Sequence, residues 1–176
     1  MYSLTPFHID LRALGEGEKI FTYKLGNEYF QAINATEVHR GNLDVNLSVY
    51  RVDNLFELHF KIRGFVCVPC DICLDDMDQP IDTTSKLVAK FGEGLSEDED
   101  LVIVDEDKGI LDISWYIYET IVLNIPIRHV HEPGKCNPVM IEKFKELSTT
   151  RSSGDGDSEI DIDPRWAALK KLKKRN

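Results

Sequence analysis

The chain contains no run of about 18 consecutive apolar residues, so no membrane-spanning helix is expected. Its start, Met1-Tyr2-Ser3-Leu4-Thr5-Pro6, has neither the basic flank nor the apolar stretch of a secretory signal. There is no glycine-rich phosphate loop, no His-Glu-x-x-His and no Gly-x-Ser-x-Gly, which removes the usual signatures of nucleotide hydrolases, zinc proteases and serine hydrolases. Positive charge is short: 21 Lys and Arg face 31 Asp and Glu, a net charge of -10 over 176 residues. Such a surface repels nucleic acid on average, so direct RNA binding requires a local basic patch. Cysteine is scarce as well, with four in the chain. A soluble, cytoplasmic protein is expected, where thiols stay reduced and structural disulfides are not needed.

The clearest pattern is period-2 alternation. Leu43, Val45, Leu47 and Val49 alternate with polar residues, and Phe56, Leu58, Phe60 and Ile62 repeat the pattern. Between them Asp53-Asn54 tolerates the positive φ of a tight turn, so the two runs predict a hairpin. After Gly64 the apolar series shifts to Phe65 and Cys67, which predicts a glycine bulge. A second hairpin is expected from 20–25 and 29–33 around Gly26-Asn27. Leu87, Ala89 and Phe91, then 101–104, add further strands. Asp112 is placed to cap a helix over 113–124 that is apolar nearly all round and belongs in the core.

Ile141, Phe144 and Leu147 have helical spacing within 140–147. Residues 148–162 are then mostly small and polar or acidic, too polar to repay the entropy of ordering, and are read as a flexible linker. Asp163-Pro164 is a helix start, since Asp can cap and Pro fits the first helical position. Trp166, Leu169 and Leu172 supply an apolar stripe, beside a basic set of Lys170, Lys171, Lys173, Lys174 and Arg175. A helix this short needs a partner to fold against, either this protein's own body or another molecule.

Three of the cysteines stand in Cys67-Val-Pro-Cys70-Asp71-Ile72-Cys73, and the fourth, Cys136, follows His129 and His131. A Cys-x-x-Cys turn puts two sulfurs close enough to share a metal ion or a disulfide. Cys70, Cys73, His131 and Cys136 form the best tetrahedral zinc set. Cys67 reads as a small buried hydrophobe continuing the strand, and His129 as a residue filling a surface turn. Inert cysteines and a redox pair remain the alternatives to metal. The acidic run between Gly92 and Asp100 reads as a solvated loop, with a cation site or a mimic of nucleic-acid phosphate as the sharper options. Glu119 shares its helix stripe with Asp112 and reads as an exposed edge rather than a catalytic carboxylate.

The order of these features is similar to that of the YceD-like family, the large ribosomal RNA subunit accumulation proteins. The resemblance runs from about Val45 to Lys174. It is carried by Cys70-Asp71-Ile72-Cys73-Leu74, by the helix ending at Ile125-Pro126, and by Asp163-Pro164-Arg165-Trp166. Many members carry an Arg where this chain has Ile72, and some have a fuller cysteine cluster where this chain has His131 and Cys136. The resemblance implies a role in making or accumulating large-subunit ribosomal RNA, as an assembly or processing factor rather than an enzyme.

Together these readings predict an α+β protein, mostly antiparallel β, with a barrel-like or curved hairpin-rich sheet, one core helix and helical C-terminal segments. The divisions are a β-rich domain over 1–147, a linker over 148–162 and a basic helix over 163–176. No catalytic residue is assigned, and zinc is the one cofactor considered. Arg165, Trp166, Lys170, Lys171, Lys173 and Lys174 are the candidate contacts to RNA or a protein partner. The expected partner is a precursor of the large ribosomal subunit, met through its RNA or a ribosomal protein, with no membrane and no small-molecule substrate. The alternatives are a metal-dependent RNA-processing hydrolase and a protein-only module that meets basic ribosomal proteins through its acidity.

Overall fold

A computed structural model describes residues 3–94 and 101–147. Its body is one five-stranded sheet in the order β2-β3-β4-β5-β6, built from β2 (Gly17–Leu25), β3 (Arg40–Val52), β4 (Leu55–Pro69), β5 (Asp76–Phe91) and β6 (Leu101–Val104). The first four strands pair antiparallel, and β6 runs parallel to β5 at the edge. A short ribbon of β1 (His8–Asp10) and β7 (Ile110–Asp112) stands apart from this sheet. Among the described residues, three α-helices complete the fold: α1 (Asn27–Ala32), α2 (Ser114–Leu123) and α3 (Pro138–Leu147). No helix among the described residues is long and apolar enough to cross a membrane.

The β3–β4 hairpin turns at Asp53, whose φ is 53°, and pairs without a break from Val52–Leu55 to Arg40–Cys67. Alternation puts Val45, Leu47, Phe56, Leu58 and Ile62 on one buried face, while Asn46, Lys61 and Arg63 face the solvent side of the same strands. The buried face is covered by α1, by α2 and by the N-terminal segment through Phe7, Ile9 and Leu11. The N-cap of α2 is Ile113 rather than the expected Asp112; one residue earlier, the Asp112 carboxylate accepts from the Ser114 amide at 2.9 Å and the Ser114 hydroxyl at 2.7 Å. Ile117, Tyr118 and Ile121 of α2 are buried, whereas Trp115 and Leu123 are exposed, so this helix lies on the sheet with one side open.

Several expectations are corrected. The sheet is open, with β2 and β6 at opposite edges, so it is not barrel-like. Hairpin patterning specifies which strands pair, not whether the sheet closes, and here helices cover the apolar face instead. The second expected hairpin does not exist, because 27–32 is a helix. Its neighbours Tyr29 and Phe30 are both fully buried, which a strand with alternating sides cannot achieve on one face. The Tyr29 hydroxyl then donates to the Ser114 carbonyl at 2.7 Å, tying α1 beneath α2.

Nor does β4 shift parity at Gly64. Buried positions remain even through Val66 and Val68, while Phe65 lies 39% exposed on the outer side. Gly64 pairs with Leu43 in unbroken register. The linker and the basic C-terminal helix expected over 148–176, and the acidic residues 95–100, lie outside the described residues.

Candidate metal centre

The Cys-x-x-Cys segment forms the tip of the β4–β5 hairpin, just past the Pro69–Asp76 pair. Pro69 ends the strand. The Cys70 carbonyl then accepts from the Leu74 amide at 2.9 Å, and the Cys70 amide donates to the Asp75 carbonyl at 2.9 Å. Leu74 sits at φ 63°, which reverses the chain toward β5. Both sulfurs are buried as a result, although the tip is far from the middle of the sheet.

The second half comes from the arm between α2 and α3. A tight turn at Glu132–Lys135, closed by the Lys135 amide on the Glu132 carbonyl at 2.9 Å and by their ion pair at 2.7 Å, brings His131 and Cys136 to the same side. Gly134 takes the positive φ of 84° that this turn requires. Immediately after, Asn137 accepts from the Val139 amide at 3.1 Å and Pro138 opens α3, so the helix start fixes Cys136 from behind.

Cys70, Cys73, His131 and Cys136 thereby converge, with one donor atom of each within 4.8 Å of the others. Cys70 Sγ lies 3.8 Å from Cys136 Sγ, Cys73 Sγ lies 3.3 Å from His131 Nδ1, and Cys136 Sγ lies 3.9 Å from the same nitrogen. Around a tetrahedral zinc, sulfur pairs are separated by about 3.8 Å and sulfur–nitrogen pairs by about 3.5 Å, given the usual bond lengths. The donor set fits zinc in chemistry as well as size, three thiols and one imidazole being its common structural complement. It is the one cluster of three or more His, Cys, Asp or Glu among the described residues with this closeness.

The electrostatics of the turn favour a thiolate at one corner. Burial pushes the Cys70 thiol up, but the amides of Cys73, Ile72 and His131, with the Cys73 thiol, outweigh it and bring it down to about 6. Cys136 is pushed up to about 11 by burial and by the sulfurs of Cys70 and Cys73. Several sulfurs crowded together cannot all ionise unaided, so a cation is the natural source of the missing charge.

Two flanking residues are placed differently from expectation. Cys67 is not a core hydrophobe: it is half-buried on the outer side of β4, opposite Arg40 and Asp78, with its thiol pushed up by burial and then by Asp76. His129 does more than fill a turn. Its amide donates to Asp71 Oδ2 at 2.7 Å, its carbonyl accepts from the Asp71 amide at 2.9 Å, and its Nε2 lies 3.6 Å from Asp71 Oδ1. Asp71 therefore staples the hairpin tip to the arm independently of the sulfurs. Asn137 adds a second staple through its amide nitrogen to Asp75 Oδ2 at 3.2 Å.

Residues 58–173 match the family described as Large ribosomal RNA subunit accumulation protein YceD. The chain belongs to the YceD family. The matched span begins inside β4 and takes in all four corners of the cluster, Asp71 and the basic C-terminal residues as far as Lys173. Among curated proteins, the "Uncharacterized protein YlbN" of Bacillus subtilis (strain 168) is 27% identical over 158 residues, covering 85% of this chain and 89% of that protein. No solved structure matches at a significant level. In this YceD-family chain the Asp71 staple has a direct test. Asp71→Ala should cost about 1–2 kcal/mol, the penalty for leaving partly buried partners unpaired. Urea unfolding of the purified variant measures this, and an unchanged midpoint would remove the staple's role.

Proposed function

We propose that this YceD-family chain is a non-catalytic factor in large ribosomal subunit biogenesis, supporting the synthesis, processing or accumulation of large-subunit ribosomal RNA. Family membership across about two thirds of the chain carries this reading. A zinc ion held by Cys70, Cys73, His131 and Cys136 is structural here, because four protein ligands leave no open position for a reacting water or substrate. The ion joins the β4–β5 tip to the arm that leads into α3, so it fixes the surface these segments present.

Contact with the ribosomal precursor falls to Arg165, Lys170, Lys171, Lys173 and Lys174. They are a basic cluster in a chain of net charge -10, suited to phosphate contacts that give affinity without sequence preference. The hydrolase alternative has little support in the geometry. Glu119 is exposed, the Asp112 carboxylate is engaged by Ser114 and lies 3.4 Å from His8, and no three carboxylates converge among the described residues.

The test is made in cells and in extracts. Removing the protein should lower large-subunit RNA relative to small-subunit RNA, and an unchanged ratio would contradict the ribosomal reading. Deleting 163–176 should weaken co-sedimentation with large-subunit precursors by about tenfold or more at moderate salt, as expected for losing several phosphate contacts. Co-sedimentation unaffected by the deletion would remove the tail from the interface.

A further inference from the structure

α3 is a helix of ten residues with no buried side chain. Yet Val139, Met140, Ile141, Phe144 and Leu147 are apolar, and Phe144 and Leu147 are 55% and 83% exposed. A helix this short is marginal unless an apolar face is packed. Beside it runs a groove of about 820 Å³, lined by Ile72, Val130, Pro133, Pro138 and Ile141, with Glu132 and Glu142 among its charged residues. On the other side of Ile72, a second apolar depression is formed with Met140, Phe144 and Leu147. Both lie against the tip that carries the cysteine cluster.

The chain itself supplies an occupant. Residues 148–162 follow α3 directly and lead to Asp163-Pro164, with Trp166, Leu169 and Leu172 on one helical stripe. Fifteen linker residues span about 50 Å when fully extended and about 20 Å as a flexible coil. That is enough to double back along α3, which is about 15 Å long. At about 820 Å³ the groove is wide enough to admit one Trp and two Leu side chains. The groove's charged lining is mixed, Glu132 being paired with Lys135 and Glu142 standing with Lys145, so the apolar stripe and the reach of the linker carry the match.

We propose that the segment Asp163–Asn176 docks in cis as a helix, seating Trp166, Leu169 and Leu172 in the groove between α3 and the 130–136 arm. The docked helix covers the apolar side of α3 and leaves Lys170, Lys171 and Lys174 toward solvent, so the basic contacts sit at a fixed place beside the cysteine cluster. This docking is independent of the ribosomal reading and can fail or stand without it.

The chain has two tryptophans, Trp115 and Trp166, so full-length Trp115→Phe reports on Trp166 alone. Its emission should be blue-shifted, and its acrylamide quenching several-fold weaker, compared with a synthetic 160–176 peptide. Ile141→Glu added to this protein should return both signals to those of the peptide, and Ile72→Glu serves as a second groove variant should the first not fold. In an otherwise native chain, Trp166→Ser should speed amide exchange of α3 several-fold without changing exchange in β3 and β4. Peptide-like signals in Trp115→Phe, or buried signals indifferent to both groove variants, would overturn the proposal. So would a buried signal lost on dilution, since the groove would then be taking a neighbouring copy's segment.

Discussion

Gly64→Ala is expected to cost at least about 3 kcal/mol, a large share of the roughly 5–15 kcal/mol that holds a domain of this kind together. A Cβ at this position would lie 2.1 Å from the Asn42 carbonyl oxygen and 2.7 Å from Leu43 Cα. Both are backbone atoms of the neighbouring strand β3, so no rotamer change relieves the clash. Gly64 also sits at φ +147°, which L side chains rarely adopt. The β3–β4 hairpin would have to part at the Leu43–Gly64 pair, the fourth from the open end of its ladder and next to the Phe60 and Ile62 layer of the core. Gly15→Ala is the control, since nothing lies within 4 Å of its added Cβ, and it should stay within about 0.5 kcal/mol of the parent. Urea unfolding of the three proteins checks the prediction, and equal midpoints for Gly64→Ala and Gly15→Ala would refute it.

Cys73→Ser is expected to abolish metal binding and lower the melting temperature by about 10 °C. The loss removes one corner of the cluster and leaves the remaining sulfurs crowded around a gap. A penalty of about 3 kcal/mol corresponds to roughly 10 °C for a chain of this size. The effect should be local in structure. Amide exchange should accelerate from Ile125 to Leu147, which reach the body through the tip, while the β3–β4 ladder keeps its protection. Cys67→Ser should leave metal and melting temperature unchanged, because Cys67 lies outside the cluster. A melting temperature for Cys73→Ser within a degree or two of the parent would contradict this account.

The sequence is most legible where a single period governs a long segment. The β3–β4 hairpin carries its alternation through more than twenty residues, with a turn pair that accepts positive φ, and both appear in the structure. Asp112 and the apolar run after it point equally plainly to α2. Where two periods compete over a few residues, the reading fails. In 27–32 the adjacent rings of Tyr29 and Phe30 look like one half of a hairpin, and only their common burial beneath α2 explains a helix. At Gly64 the apolar Phe65 suggests a change of face, whereas the unbroken β3 register keeps it outside.

Closure of a sheet is a property of the whole chain, which no local pattern encodes, and so the barrel was not distinguishable from the open sheet. The cluster residues were visible as chemistry because thiols and imidazole are rare in this chain, and the fold brings Cys70, Cys73, His131 and Cys136 together across about sixty residues. The Asp71 staple was hidden, since nothing in the sequence distinguishes an Asp bonded to a distant amide from one in water. Asn137-Pro138 was the available signal for the start of α3, a capping residue before a proline at the first helical position.

Zinc content per chain, measured by elemental analysis on protein purified without a metal-binding tag and paired with X-ray absorption at the zinc edge, decides whether Cys70, Cys73, His131 and Cys136 hold a metal. Close to one zinc per chain is expected in a three-sulfur, one-nitrogen shell, lost from a Cys70→Ser, Cys73→Ser double variant. Protein that folds with the same melting temperature and carries no zinc, before or after incubation with the ion under reducing conditions, would contradict that expectation.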